Sequence, residues 1–242
     1  MDIDHLEQNK VASVVANNIK AAHVFKKHGI DFCCGGGISI EEACRKNNAE
    51  LENVLEDLDK IGQKVDRRED YNSWNLDFLI DHIVQVHHSY VLESLPILLE
   101  YSDKVAKVHG HHYAEVMKIR DIVTEVCAEL SSHLQKEERV LFPYVKYLVN
   151  AAQNQTLASP PPFGNAKGPI QVMVMEHEHA GDAFKEMRKL SNDFTPPAEA
   201  CNTFRALYAL LDEFEIDLHL HIHLENNILF PKALLLEKNT LS

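Results

Sequence analysis

Two stretches of this chain carry the same potential chemistry. The first reads His133-Leu-Gln-Lys-Glu137-Glu-Arg-Val-Leu-Phe-Pro143, and the second reads His221-Ile-His-Leu-Glu225-Asn-Asn-Ile-Leu-Phe-Pro231. Both follow the pattern HxxxExxxLFP. On a helix, positions i and i+4 lie one above the other on the same face, so each copy sets an imidazole beside a carboxylate. That pair is a ligand set for iron, zinc or manganese. A single HxxxE carries little weight, but two copies sharing a Leu-Phe-Pro tail form an internal repeat. The repeat extends upstream, because His88 precedes His133 by the same spacing, to within one residue, as His177 precedes His221. Each half is therefore a helix with one His followed by a helix with His and Glu. Packed about a pseudo-twofold axis, the halves would gather four His and two Glu into one metal-binding core.

A second group of reactive residues lies near the start of the chain, in Asp31-Phe32-Cys33-Cys34-Gly35-Gly36-Gly37. Adjacent cysteines rarely bond each other, because the ring they would close is strained. Three glycines let the backbone turn sharply and keep the thiols approachable. The sequence admits two readings: a tight turn with two small buried residues, or a redox or metal-handling thiol site. A helix starting after Ser39 would lower a nearby thiol pKa through its dipole. Cys44, Cys127 and Cys201 fall within helical patterns and are read as packing residues.

The composition narrows the setting. The chain has 242 residues, with 24 Lys and Arg against 37 Asp and Glu, a formal charge of −13. Nucleic acid and anionic membrane both demand a basic face, so neither is an expected partner. No run approaches a membrane span, and the first residues do not read as a signal peptide. Five cysteines without a secreted spacing pattern point to a reducing cytoplasm. Fifteen histidines are the anomaly in this composition.

The elements that must position these groups are helical throughout. Val11 to Phe25 has apolar residues at helical spacing and stops at His28-Gly29. Ser39-Ile-Glu-Glu42 is a capping-box pattern opening a short helix, and Leu51 to Ile61 marks a third. Residues 1–65 are thus expected to form a small helical domain, with a charged linker over 66–72. Residues 73–242 then hold four long helices. The first runs from about Trp74 to Val105 with Pro96 inside it, and the second from about Tyr113 to Ala152 with Pro143 inside it. After a Pro- and Gly-bearing crossing at 153–168, the third runs from Pro169 to about Asn192. The last spans about Ala198 to Glu237 with Pro231 inside it. Pro96 is expected to kink its helix or mark a local irregularity, and a kink or restart is expected at Pro143 and Pro231. The fold class is all-α, an antiparallel four-helix bundle behind a small helical domain.

Within that frame, Glu129, one turn before His133, and Glu176, next to His177, are candidates to orient imidazoles or relay protons. His87, His179, His219 and His223 point away from the proposed ligand face, and His82 lies nearly two turns before His88.

The pattern His88, His133-x3-Glu137, His177, His221-x3-Glu225 resembles the hemerythrin-like di-iron bundle. The Asp31-Phe-Cys-Cys-Gly-Gly motif ahead of such a bundle resembles the repair-of-iron-centres family, and the resemblance covers nearly the whole chain. It implies a fifth His ligand at His109, which the repeat does not supply. From the residues alone, the choice among His109, His111 and His112 stays open. Seven ligands exceed the four-coordinate preference of zinc. They suit two irons per chain, bridged by Glu137, Glu225 and an oxo or hydroxo group, with a position left for a small ligand such as nitric oxide or dioxygen.

The resemblance further implies repair of iron–sulfur clusters damaged by nitrosative or oxidative stress, through iron supply or chemistry on nitric oxide. Damaged iron–sulfur proteins would be the partners, and Cys33 and Cys34 would engage a client or carry a thiol intermediate. The alternatives are a dioxygen- or nitric oxide-binding or sensing module, a metal-storage protein, and a nitric oxide reductase or nitrosyl-transfer enzyme. The small first domain also suits homodimer contact.

Overall fold

The computed structural model describes residues 6–61 and 70–241. Most of the expected linker therefore lies outside the described residues. Among those described, the chain is all-α: the one β feature is an isolated bridge between Lys10 and Ser39. Contacts divide the chain into two compact units. One comprises Met1–Ile80, Leu148–Ser159 and His219–Ser242; the other comprises Asp81–Tyr147 and Pro160–Leu218.

The first unit opens with four short helices, α1 (Val11–Asn17), α2 (Ala21–Lys27), α3 (Ile40–Asn47) and α4 (Leu51–Lys60). The single helix expected over Val11 to Phe25 is two helices. Asn18 takes an extended conformation and its side chain accepts the Lys20 N–H at 3.2 Å. That local bond competes with the helical ladder and breaks it there. Helix α2 ends as expected at His28-Gly29. Gly29 sits at φ +67°, and the Ile30 N–H returns to the Phe25 carbonyl at 2.8 Å. Ser39 Oγ accepts the Glu42 N–H at 3.1 Å, which caps α3. Val11, Val15, Phe25, Ile40 and Val54 form the buried heart of these helices. Asp57 holds them together electrostatically through Lys27 (2.6 Å), His28 (2.9 Å) and Lys60 (3.2 Å).

The second unit is an antiparallel four-helix bundle. Its rods are α6 (Ser89–His109), entered from the end of α5 (Leu76–His82); α7 (Glu115–Lys136), leading into the start of α8 (Phe142–Gln153); α9 (Lys167–Ser191); and α10 (Asn202–Leu224) as far as Leu218. The pairing of ends shows the directions. His88 at the start of α6 meets Glu138 beyond the end of α7, and His109 at the end of α6 meets Cys201 just ahead of α10. Phe184 stacks on Phe214 between α9 and α10 at 5.8 Å. Arg188 of α9 donates to both Glu215 oxygens at 2.9 and 2.7 Å, reaches Asp212, and lies over the Phe194 ring at 4.8 Å.

The internal prolines have two different settings. Pro96 lies inside α6, which runs through it without a break. Pro143 and Pro231 each follow a π-helical turn, Glu137–Leu141 and Glu225–Leu229, after which α8 and α11 (Phe230–Thr240) resume. A π turn shifts hydrogen bonding by one residue, so each helix carries a local irregularity just ahead of its proline and resumes α geometry around it. A third π turn spans Ile83–His88. Each of these turns contains one of the proposed ligands: His88, Glu137 or Glu225.

Candidate metal centre

In the bundle unit, His88, His133, Glu137 and His177 are at most 2 % exposed. Four polar side chains buried this deeply require partners. Glu137 is central among them, because its Oε2 lies 3.4 Å from His88 Nε2 and 3.4 Å from His133 Nε2. One carboxylate therefore sits between two imidazoles from different helices. His177 Nε2 approaches His133 Nε2 to 3.0 Å. Two nitrogens bound side by side on one octahedral ion at about 2.1 Å would be about 3.0 Å apart. The ligand atoms of His133, Glu137 and His177 all lie within 4.8 Å of one another.

The far nitrogens of two imidazoles are held in place. His88 Nδ1 pairs with Glu138 Oε1 at 2.7 Å, and His133 Nδ1 pairs with Glu176 Oε2 at 2.8 Å. A carboxylate on Nδ1 fixes the tautomer that leaves Nε2 free to bind a metal. Burial alone would raise the Glu176 carboxyl, but hydrogen bonds from Lys136 and His133 outweigh it and hold the group below its ordinary value. Glu176 was expected in this role. Glu138 was not, because it stands one residue beyond the HxxxE pattern. The signal that could have found it is the reach of α6 to the π turn, which only the packing reveals. Glu129 is exposed, on the rim of a small cavity it shares with His133 and Glu176.

The second HxxxE lies in the other unit. His221 Nε2 stands 3.1 Å from Glu225 Oε1, and both side chains are at most 1 % exposed. The same segment faces the thiol loop with different residues. His223 is fully buried, and its ring meets Phe32 at 5.9 Å, while His219 meets Phe32 at 6.1 Å. Asn227 Nδ2 donates to the Cys33 carbonyl at 3.0 Å and contacts His223 Nδ1 at 3.1 Å. Burial pushes the His223 imidazole down to about 4, even with the Phe32 carbonyl pulling the other way. His223 is thus a positioning group for the loop, on the side of the helix away from His221.

Two expectations need correction. His109 does not join His88 and His133. Helix α6 is unbroken from Ser89 to His109, so at 1.5 Å per residue His109 lies about 30 Å along the bundle from His88. There it packs on Phe204 at 5.3 Å and meets Cys201 Sγ at 3.2 Å. Cys201 is exposed rather than a packing residue, since it precedes the first turn of α10. Cys44 and Cys127 are buried as expected. The bundle donors that do converge are three His and one Glu, with His221 and Glu225 forming the second pair. The set is rich in neutral nitrogen, suits iron in either oxidation state, and fits the metal that such a bundle implies.

A cation-binding helical bundle is the class that this fold and site define. The family model for the hemerythrin HHE cation binding domain matches residues 79–233, and a model described as Domain of Unknown function (DUF542) matches residues 7–62. The chain is 37 % identical over 230 residues to a Haemophilus influenzae protein named "Probable iron-sulfur cluster repair protein", covering 94 % of this chain and 97 % of that one. It is 34 % identical over 230 residues to the "Iron-sulfur cluster repair protein YtfE" of Musicola paradisiaca, covering 95 % and 98 %. Against the Escherichia coli protein of the same name it is 36 % identical over 215 residues, covering 89 % and 91 %. The chain belongs to this iron–sulfur cluster repair family of hemerythrin HHE proteins.

Proposed function

We propose that this protein repairs damaged iron–sulfur clusters, using two irons and two sets of donors: His88, His133, Glu137 and His177 in one unit, and His221 and Glu225 in the other. The observation that carries the reading is the Glu137 carboxylate set between His88 and His133, each imidazole anchored behind by a second carboxylate. Glu137 would supply a carboxylate, and His88 and His133 an imidazole each, to iron bound there. His221 and Glu225 repeat the motif, and the cation-binding family match takes in all six residues. The names of the relatives support cluster repair as the task.

In this reading, residues 1–65 form a thiol-bearing domain and residues 73–242 the iron-holding bundle, joined by 66–72. The irons would supply redox exchange and affinity for small ligands such as nitric oxide. The chain's own residues do the rest. Glu138 and Glu176 orient His88 and His133, and burial keeps bulk water from the carboxylates. The neutral imidazoles tolerate both ferrous and ferric states. Damaged iron–sulfur proteins are the partners. Among the described residues no helix is long and apolar enough to cross a membrane, and the unbridged cysteines suit a cytoplasmic setting.

The test is Mössbauer spectroscopy on protein purified without added metal, followed by incubation with a hydratase whose cluster has been damaged by nitric oxide. About two coupled irons per chain, with hydratase activity restored in proportion to iron lost from the bundle, is the expected result. Zinc in place of iron, or restoration equal to that by free ferrous salt, would overturn the proposal.

A further inference from the structure

The thiol loop presents a second set of metal donors, separate from the bundle ligands. Asp31, Cys33 and Cys34 each offer a ligand atom within 4.8 Å of the others. Cys33 Sγ and Cys34 Sγ lie 3.8 Å apart, well beyond a disulfide bond of about 2.05 Å. Two thiolates on one tetrahedral ion, bound at about 2.3 Å, would be about 3.8 Å apart. The loop thus holds adjacent thiols at a chelating separation without closing them into a strained ring.

The loop is built to hold that geometry. Asp31 Oδ1 accepts the N–H groups of Cys33 and Cys34, each at 3.0 Å, and the Cys33 thiol at 3.2 Å. Its second oxygen lies beside Gly35, where an added Cβ would come within 3.3 Å of it. Gly36 packs so closely that an added Cβ would meet the Phe32 carbonyl at 2.5 Å and the Ala12 Cβ at 2.8 Å. The Ala12 N–H donates to Gly36 at 2.9 Å, and the Val11 N–H donates to Ile38 at 3.0 Å, tying the loop to α1. Asn227 holds the Cys33 carbonyl on the other side. Cys33 is buried, while Cys34 remains half-buried and open to an arriving ion.

We propose that Asp31, Cys33 and Cys34 bind one borderline-soft divalent cation of the ferrous or zinc class. Two thiolates and one carboxylate select such an ion over magnesium or calcium. Three protein donors leave the fourth tetrahedral position to water or to a thiolate from a client protein. Binding replaces two thiol protons, which pass to solvent, and changes no oxidation state. Without the ion, the Cys34 hydrogen bond, burial and the Asp31 charge keep the Cys33 thiol protonated. The proposal goes beyond the cluster-repair reading and does not depend on it, since it concerns binding at the loop alone.

The experiment adds one equivalent of cobalt(II) to the iron-loaded full-length chain and reads cobalt-edge X-ray absorption. Two sulfur neighbours at about 2.3 Å are expected, and they should vanish in Cys33→Ser/Cys34→Ser while persisting in Cys201→Ser. Nitrogen and oxygen neighbours alone in the unaltered chain would overturn the site. So would a sulfur shell that survives the double serine change. Asp31→Asn keeps an oxygen for the two loop amides, so it tests the third donor without releasing the loop. It should weaken cobalt binding by about tenfold, and unchanged affinity would refute the three-donor assignment.

Discussion

Two acidic residues one position apart have opposite fates. Glu137 is fully buried between imidazoles, while Glu138 reaches back to His88 from a more exposed position. Removing such an orienting carboxylate typically weakens metal affinity by about 10- to 100-fold. Glu138→Gln and Glu176→Gln are each expected to show that loss in a chelator competition assay, with helicity unchanged. His109→Ala should leave iron content unaltered, because its ring lies about 30 Å along the helix from His88; a halved iron content would contradict this placement. Arg188 supplies a different kind of residue-scale support. Glu215 is 2 % exposed, so Arg188→Ala strands a buried carboxylate and should cost about 3 kcal/mol or more in urea unfolding.

Among the elements, the π turns are the informative ones. Each inserts a residue's worth of rotation where a donor must turn inward, and Pro143 and Pro231 follow within two residues of a turn's end. In the N-terminal unit, α2 and α4 are joined at Asp57. Hydrogen bonds from Lys27, His28 and Lys60 hold its carboxyl well below the ordinary range. Because the folded-state value is depressed, this contribution is complete above the unfolded value of about 3.9. It is lost as pH falls below that value toward the folded one. The stability gap between the unaltered chain and Asp57→Asn should therefore be constant near neutrality and shrink below about pH 4. A gap that stays level down to pH 2 would contradict the ion-pair account.

The whole molecule carries a formal charge of −13 and still buries two carboxylates, Glu137 and Glu225, beside imidazoles. Cations that bind only the folded chain stabilise it by mass action. Removing the metal is expected to lower Tm by about 5 °C or more, and restoring ferrous iron anaerobically should recover it. Calorimetry of the metal-free and reloaded protein checks this, and equal Tm values would show that the donors are satisfied without metal. The family match places a cation-binding domain behind a smaller N-terminal one in the same chain, an order that would keep thiols and iron in fixed proportion.

What local chemistry controls was legible in the residues. Helical period, the cap at Ser39 and the stop at Gly29 depend on neighbours within a few positions, and so does the pairing of His133 with Glu137 or His221 with Glu225. The repeat added His88 and His177, because equal spacing on paired helices demands equal depth. What depends on the register between helices was not legible. Glu138 finds His88, and Asn227 finds the Cys33 carbonyl, only once helices distant in sequence have packed. The break at Asn18 and the π turns before Pro143 and Pro231 were hidden for a related reason: each rests on a small local energy difference that a periodic pattern does not register. His109, which only the resemblance singled out, lies far from His88 because an unbroken helix fixes distance at 1.5 Å per residue, a length that the resemblance does not carry.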